Sequence, residues 1–518
     1  MTNEELGLDL HGVDDHVDVI VVGAGITGLA TALMLLDAGR RVIVLEQDAP
    51  GALASGRNTG KVSVLQGSRL STIRRHHPAR LVRAYVDANR AGQQWLRRAT
   101  ERAGVPIRDA TAYSYAQSAD GLDVVEAEVR AAREAGLDVR RVDRVDDAVP
   151  FPVAGAAALD GQFALDPAEL MRGLADQVVE RGGSLVSGVR ALGVRATDPV
   201  QVRTSAGVLT AGQVLIATGA PMLARGLYWA KTSGSRSLLL SFAPPSESGA
   251  LPEGLYLSVD QPGRSIRSAV WGGETRLLVG GGGHPVGREE SSLRLVDEIA
   301  GWTRTWWPEV GEPAHWAAQD YESHNRVPFV GRMPRGRGRV WFATGYAKWG
   351  LTNGAAAAIR IAHEMLGARR PDWARVIGSR LTVPVDFARG ASENAKVGAA
   401  AARGWVGALR GADLGEPDAV RPAEGHGEVA RYGLRPVGVS TVGGETCAVS
   451  AVCTHLGGVV HWNDAEMTWD CPLHASRFDH RGHRIEGPAL HDLPRVPELE
   501  TAAAPVEVEP VEVESAAE

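Results

Sequence analysis

The chain has 518 residues, 44% of them apolar and 23% charged, with a formal net charge of −7. Its length exceeds what one hydrophobic core supports, so two or three domains are expected. The negative balance removes the electrostatic basis for nucleic-acid or anionic-membrane binding, leaving small-molecule chemistry.

The first segment, 1–16, is polar and acidic with no basic stretch, and the apolar run Val17–Val22 after it is far too short to cross a bilayer. It reads as a tail on a cytoplasmic protein without a membrane span. Residues 17–46 read as strand, glycine-rich turn, helix and strand, the start of a doubly wound α/β domain. Gly23-x-Gly25-x-x-Gly28 follows the strand and opens the helix, and Glu46 ends the second strand. This is the spacing that seats a pyrophosphate on the helix N-terminus and holds a ribose hydroxyl with the acid. A structural glycine turn in another α/β fold is the alternative.

Strand-like and helix-like segments then alternate to about Arg380, among them a strand over Gln213–Gly219 and an Ala-rich helix beginning near Gly354. The run Gly280–Gly287 lacks a glycine at the third fingerprint position and meets Pro285, so it reads as a hairpin turn and not as a second, NAD(P)H site. Ser392–Arg410 reads as a connecting amphipathic helix, and Gly411–His426 as a linker. Period-two stretches such as Gly438–Val442 and Cys447–Val452 predict a small all-β domain, and the last twenty residues an acidic, disordered tail.

Only three cysteines occur, all beyond residue 440, which excludes a disulfide framework and points to metal or redox use. Cys453-Thr-His455 and Cys471-Pro-Leu-His474 form a C-x-H and C-x-x-H pair with fifteen residues between them. Two thiolates on one iron and two imidazoles on the other is the Rieske arrangement. Cys₂His₂ also suits zinc.

Three segments decide between FAD and NAD by resemblance. Ser55-Gly-Arg-Asn-Thr-Gly-Lys61, Ala217-Thr-Gly219 and Gly345–Gly354 resemble, in that order, the flavin-contacting segments of the glycine oxidase and D-amino-acid oxidase superfamily, over about the first 380 residues. The resemblance implies an α/β FAD-binding domain of the glutathione-reductase-like Rossmann type, with an interleaved α+β substrate domain. It implies FAD contacts at Gly23, Gly25, Ile26, Thr27, Gly28, Glu46 and Gln47, and at Ser55, Gly56, Arg57, Asn58, Thr59 and Gly60. Further contacts fall at Ala191 (an adenine contact through the backbone), Thr218, Gly219, Gly345 and Trp349. Gly350, Leu351 and Thr352 match a helix N-terminus near the flavin N1/O2 edge, where a positive dipole end stabilises the reduced form.

Around the metal ligands, Cys453–Gly458, Cys471–Phe478 and Gly487-Pro-Ala489 resemble the two ligand loops and the proline loop of Rieske domains, over about residues 420–495. This resemblance implies a [2Fe–2S] cluster in place of zinc. Many Rieske domains carry one further cysteine in each loop, joined as a disulfide; Gly458 and Leu473 stand at the matching positions. Without that clamp, a potential in the lower part of the roughly −150 to +300 mV Rieske span is expected. Ser476 is a candidate hydroxyl donor to a cluster sulfur, Cys447 a buried structural thiol, and His461, His480, His483 and His491 surface or turn residues. The expected division is 1–16 tail, 17–385 FAD-dependent domain, 386–426 linker with helix, 427–498 Rieske domain and 499–518 tail.

Flavin takes two electrons, usually as hydride, and a Rieske cluster passes one at a time. Trp316–Tyr321 and Asn325–Gly331 resemble the pre-flavin region of amine- and amino-acid-oxidising enzymes that bear a C-terminal Rieske domain. The expected activity is therefore a dehydrogenase that oxidises an amine-like substrate and passes electrons through the cluster to an external protein or quinone acceptor. Arg57, Lys61, His284, Tyr321 and Lys348 are the candidates to line its pocket, with Arg57 and Lys61 favoured by their place in a flavin-contacting segment. Two other readings are a reductase feeding an oxygenase partner, and an oxidase with a sensory or structural cluster. A Rieske oxygenase is not expected, since no facial-triad spacing for a mononuclear iron occurs.

Overall fold

The structure is a computed structural model that describes residues 17–220, 222–243, 251–271, 273–378, 384–412, 414 and 421–499. The tails expected at 1–16 and 499–518 lie outside the described residues, Leu499 excepted. The chain divides into two compact units, 1–397 and 398–518.

The first unit opens with β1 (Val17–Val22), α1 (Ile26–Asp37) and β2 (Val42–Leu45), the unit expected from the sequence. The elements that matter next are α2 (Arg69–Arg74), α3 (Ala79–Ala103), α4 (Ala119–Glu134), β3 (Gly207–Ile216), β4 (Thr232–Phe242) and β5 (Glu274–Pro285). They are followed by β6 (Ala314–Ser323), β7 (Val340–Thr344) and α5 (Gly350–Met365). A first sheet runs in the order Phe329–Arg332, β7, β3, β1, β2, Ser184–Val186, with all neighbours parallel except the first pair. Its strands β1 and β2 are near-continuous Val, Ile and Leu runs because both faces are covered. Each fully buried aliphatic side chain there contributes roughly 1.5–3 kcal/mol.

A second, nine-stranded sheet contains β6, β4 and β5 at one end and Lys61–Val62 at the other. Its strands come from 61–165 and 232–323, between the segments that build the first sheet, so the two layers interleave along the chain. The glycine run Gly280–Gly283 is a correction to the sequence reading. It lies inside β5, hydrogen-bonded to β4 on one side, and Gly280 also faces Ser265 of the strand Ser265–Trp271 on the other. Glycine is used there for close approach and a positive φ of 58° at Gly282, beside a register shift, and not for a turn.

The Ala-rich helix starts at Gly350, four residues earlier than the sequence indicated. Its glycines mark helix crossings. A Cβ on Gly354 would meet Ile26 Cγ2 at 2.7 Å, and one on Gly92 of α3 would meet the Thr352 carbonyl oxygen at 2.2 Å. Small residues thus let α5 lie against both α1 and α3.

Helix α6 (Pro384–Arg410) runs from the first unit into the second and includes the segment read as helical. The second unit then forms an antiparallel sheet of β8 (Gly427–Tyr432), β9 (Arg435–Val442) and β10 (Glu445–Ser450). Gly443 and Gly444, with φ of 62° and 75°, supply the two left-handed residues of a tight hairpin. A four-stranded sheet follows over His461–Asn463, Thr468–Asp470, Arg477–Asp479 and Arg484–Glu486. Trp469, Phe478, Val449 and Val460 fill its core. Among the described residues, no helix is long and apolar enough to cross a membrane.

Candidate active site and cluster centre

The glycine turn between β1 and α1 is built so that only backbone can occupy it. Gly23 has φ 104° and a Cβ on it would stand 2.6 Å from the Ala217 carbonyl oxygen; one on Gly28 would stand 1.9 Å from the Gly23 carbonyl oxygen. The Ser55 hydroxyl accepts the Ile26 N–H at 3.1 Å, at the opening of α1. Glu46 accepts the Ala24 N–H at 2.8 Å, and burial raises its carboxyl above the usual range against that hydrogen bond. Asn58 ties its own loop by donating to the Ala54 and Ser55 carbonyls and accepting the Gly60 N–H.

The turn before α5 closes this cradle. Tyr346 and Thr27 share a hydroxyl–hydroxyl hydrogen bond of 2.8 Å, and the Thr344 hydroxyl donates to the Gly219 carbonyl. Trp349, the residue before the helix, provides no side-chain cap, and no acid lies in the first turn, so the dipole end of α5 meets the cradle unmasked. Thr352 is anchored from behind through its hydroxyl to Asn89 at 2.6 Å. Ala191 begins the strand Ala191–Arg195 and is buried.

One face of the second sheet is turned to this cradle. The indole N–H of Trp316 donates to the Arg57 carbonyl at 2.9 Å, and Ala347 N–H donates to the Tyr321 carbonyl at 3.0 Å. Along β6, Trp316, Ala318, Asp320 and Glu322 share that face by the two-residue period, and Ser235 and Ser237 of β4 pair opposite Asp320 and Ala318. Lys348 belongs to the same cluster: a Cβ on Gly283 would meet its Nζ at 2.7 Å and Ser237 Oγ at 3.5 Å. Ala347 and Lys348 are both left-handed, with φ of 51° and 70°, a local strain held by the contacts around them.

Of the five pocket candidates, the structure brings Lys348 to this face and leaves the Arg57 side chain exposed beside it. Lys61 is buried and its Nζ donates to the Tyr256 carbonyl and to Ser265 Oγ, with burial pulling its pKa well down. Tyr321 and His284 lie on the opposite face with Gln319 and Arg236, by the pairings Gly234 with Tyr321, Arg236 with Gln319 and Arg236 with His284. Sequence reasoning passed over Asp320 and Ser237. The signal for Asp320 was present, since two carboxylates two residues apart on a half-buried strand need an explanation.

In the second unit, the loop after β10 carries Cys453 and His455, and the loop between Thr468–Asp470 and Arg477–Asp479 carries Cys471 and His474. Each loop closes on itself: Cys453 N–H donates to Gly458 O at 2.8 Å, and Cys471 N–H to Ser476 O at 2.8 Å. The two thiols adjoin, and the two imidazoles face each other with ring centroids 5.2 Å apart and planes at 84°. Cys453 is brought down to about 7, first by the Cys471 thiol and further by the Ser476 hydroxyl and the His455 and Leu456 N–H groups. Burial holds His455 down to about 4, so its imidazole stays neutral, as a ligand must. Among the described residues, no three of His, Cys, Asp and Glu are grouped as for a single metal ion. A sulfur pair beside a nitrogen pair is the donor set that seats one iron of a [2Fe–2S] cluster on each.

Gly458 and Leu473 replace the missing clamp by packing. A Cβ on Gly458 would meet the two Leu473 methyls at 2.7 and 2.9 Å, so the leucine fills the space opposite the glycine. Ser476 is fully buried and its oxygen accepts the Ala489 N–H at 2.9 Å, which leaves the hydroxyl proton for sulfur. The base of the second loop is pinned by Arg477, which donates to Asp470 at 3.0 Å and pairs with Glu466 at 3.2 Å. Cys447 is buried in β10, as expected.

Residues 18–364 match the family model DAO, FAD dependent oxidoreductase. The chain belongs to this family. Residues 414–497 match the Rieske [2Fe-2S] domain. YhfW of Bacillus subtilis (strain 168), named for a Rieske 2Fe-2S iron-sulfur centre, is 28% identical over 489 residues, covering 93% of this chain and 94% of that protein. The cytochrome b6-f complex iron-sulfur subunit of Chlorobaculum tepidum is 40% identical over 74 residues, 14% of this chain and 41% of that protein. Glycine oxidase from Geobacillus kaustophilus superposes with TM-score 0.60 at 18% identity, covering 71% of this chain and all of that one. L-proline dehydrogenase from P. horikoshii does so with TM-score 0.56 at 15% identity, covering 72% and 97%. The cofactors are thus FAD in the DAO domain and a [2Fe–2S] cluster in the Rieske domain, and the protein is an FAD-dependent oxidoreductase.

Proposed function

We propose that the protein is a dehydrogenase for an amine or amino-acid-like substrate, whose electrons leave by the Rieske cluster to an external protein or quinone acceptor. FAD supplies two-electron acceptance as hydride, and the cluster supplies one-electron carriage. The observation that carries the reading is the presence of both sites in one chain, on a DAO domain whose solved likenesses include glycine oxidase, L-proline dehydrogenase and iminodiacetate oxidase.

The chain's own residues support it in three ways. Gly23, Gly25 and Gly28 admit a pyrophosphate to the α1 N-terminus beside Glu46. The uncapped start of α5 at Gly350, Leu351 and Thr352 favours the reduced, anionic flavin. Cys453, Cys471, His455 and His474 offer thiolate and neutral imidazole donors in two pairs. The boundaries 17–385 and 427–498 are taken as the extents of the two domains.

The test is anaerobic mixing of the FAD-loaded, cluster-loaded protein with glycine, L-proline and iminodiacetate, followed by EPR of the same samples. Flavin bleaching accompanied by the reduced-cluster signal is the expected result. Bleaching without that signal would mark a silent cluster on an ordinary oxidase. Rapid reduction by NAD(P)H with no response to any amine would overturn the reading in favour of a reductase.

A further inference from the structure

Four segments distant in sequence meet on the cradle-facing side of the second sheet: Ser237 on β4, Gly283 on β5, Asp320 on β6 and Lys348 in the turn before α5. Two carboxylates lie on this stretch of β6, and they are treated differently. Glu322 is committed to two guanidinium groups, Arg69 at 2.6 Å and Arg326. Asp320 instead receives the backbone N–H of Lys348 and feels that residue's ammonium through space. Ser237 Oγ, buried on the same face, has no hydrogen-bond partner. A carboxylate, an exposed ammonium and an unused hydroxyl beside a dinucleotide cradle form a polar cluster that the fold itself does not consume.

We propose that Asp320 is the catalytic residue that binds the substrate's ammonium group and takes its proton. This rests on the reading of the protein as an amine dehydrogenase. An amine enters protonated at neutral pH, and no hydride can leave its α-carbon until the nitrogen has its lone pair free. One N–H bond of the ammonium breaks and an O–H bond forms on Asp320 Oδ, so the ion pair becomes a neutral amine beside a neutral carboxyl group. The proton returns to solvent after the oxidised product leaves. Charge is conserved within the site, and no further reagent is needed for this step.

Burial suits Asp320 to the task by pushing its carboxyl up to about 6, chiefly through desolvation, with Glu322 adding to the rise and Lys348 and Arg69 opposing it. A base nearer the operating pH accepts a proton more readily than an exposed aspartate would. The left-handed backbone at Ala347 and Lys348 turns the Lys348 N–H toward this carboxylate. The charged groups around it are Glu322 on its own strand, Lys348 from the turn and Arg69 from α2.

The experiment compares full-length, FAD-loaded wild type with Asp320→Asn and Asp320→Glu, using glycine, L-proline and iminodiacetate as probes in anaerobic stopped flow between pH 5 and pH 9. Wild type should lose its limiting reduction rate as pH falls through about 6. Asp320→Asn should keep its flavin absorbance, reduce at least about a hundredfold more slowly and lose that acid limb. Asp320→Glu, which keeps the charge, should restore both the limb and a measurable rate. Reduction of Asp320→Asn at the wild-type rate with the limb intact would overturn the proposal, as would an Asp320→Glu variant that binds FAD yet is as slow as Asp320→Asn. If no amine reduces the wild type, the amine-dehydrogenase reading fails and the inference falls with it; reduction of wild type with no effect of Asp320→Asn defeats the inference alone.

Discussion

The two redox sites of this chain are assembled in opposite ways. The cluster centre draws its two cysteines and two histidines from two short loops, Cys453–Gly458 and Cys471–Ser476, each closed by its own backbone hydrogen bonds. The dinucleotide cradle brings together 23–28, 46, 55–61, 217–219 and 345–352, and three further strands turn one face toward it. A site made of local loops is fixed by chemistry near in sequence, so its parts can be read one after another. A site made of distant segments depends on sheet register and helix crossings, and its weak points are the contacts that hold those segments together.

The strongest way to break the comparison is to remove one site and watch the other. Gly28→Ala would drive a methyl to 1.9 Å from the Gly23 carbonyl, so FAD should be lost while the reduced-cluster EPR signal survives. His474→Cys should do the reverse, shifting the cluster toward ferredoxin-like potential or abolishing it, with the FAD content, measured after release from the protein, unchanged. Loss of both cofactors in either variant would contradict independent assembly.

A smaller effect sharpens the account of the clamp. Gly458→Ala should cost the Rieske unit about 1–3 kcal/mol, because the methyl overlaps the Leu473 side chain, and the cluster should bleach at lower urea. Pairing it with Leu473→Ala should recover most of that loss. If the double variant is no better than Gly458→Ala, packing between these two residues is not what replaces the disulfide.

The mildest test lies at the start of α2. Glu128 of α4 is fully buried, accepts the Leu70 and Ser71 N–H groups at the start of α2, and is pushed up to about 7 by burial against those hydrogen bonds. Its native pKa lies above the unfolded value of 4.5, so between those two pH values the native state binds more protons than the unfolded one. The stability this proton contributes is complete below pH 4.5 and is lost as pH rises toward 7. Glu128→Gln should flatten that slope, by on the order of 1–3 kcal/mol, in thermal melts of the flavin unit and leave the cluster signal alone.

How far each region was legible follows from this contrast. The strand, glycine turn and helix around Gly23, Gly25 and Gly28, and the two loops that bring Cys453 beside Cys471 and His455 beside His474, form as their spacing indicated, because short turns admit few arrangements. Gly280–Gly283 misled because a glycine run serves a turn and a crowded strand equally well; only pairing with β4 and the strand Ser265–Trp271 distinguishes them. Tyr321 and His284 were drawn toward the pocket by residue type, yet strand parity puts both on the far face.

By itself, the sequence determined the two cofactor classes, since phosphate-admitting glycines and Cys/His pairs act at fixed local spacing. Only the tertiary structure decided that Asp320, Lys348 and Ser237 gather on one side of the sheet while Glu322 is spent on Arg69 and Arg326. The reason is register: a one-residue slip of β6 against β4 would send Asp320 to the other face of the sheet. That register is set by pairing along the whole of both strands, not by any one of these residues.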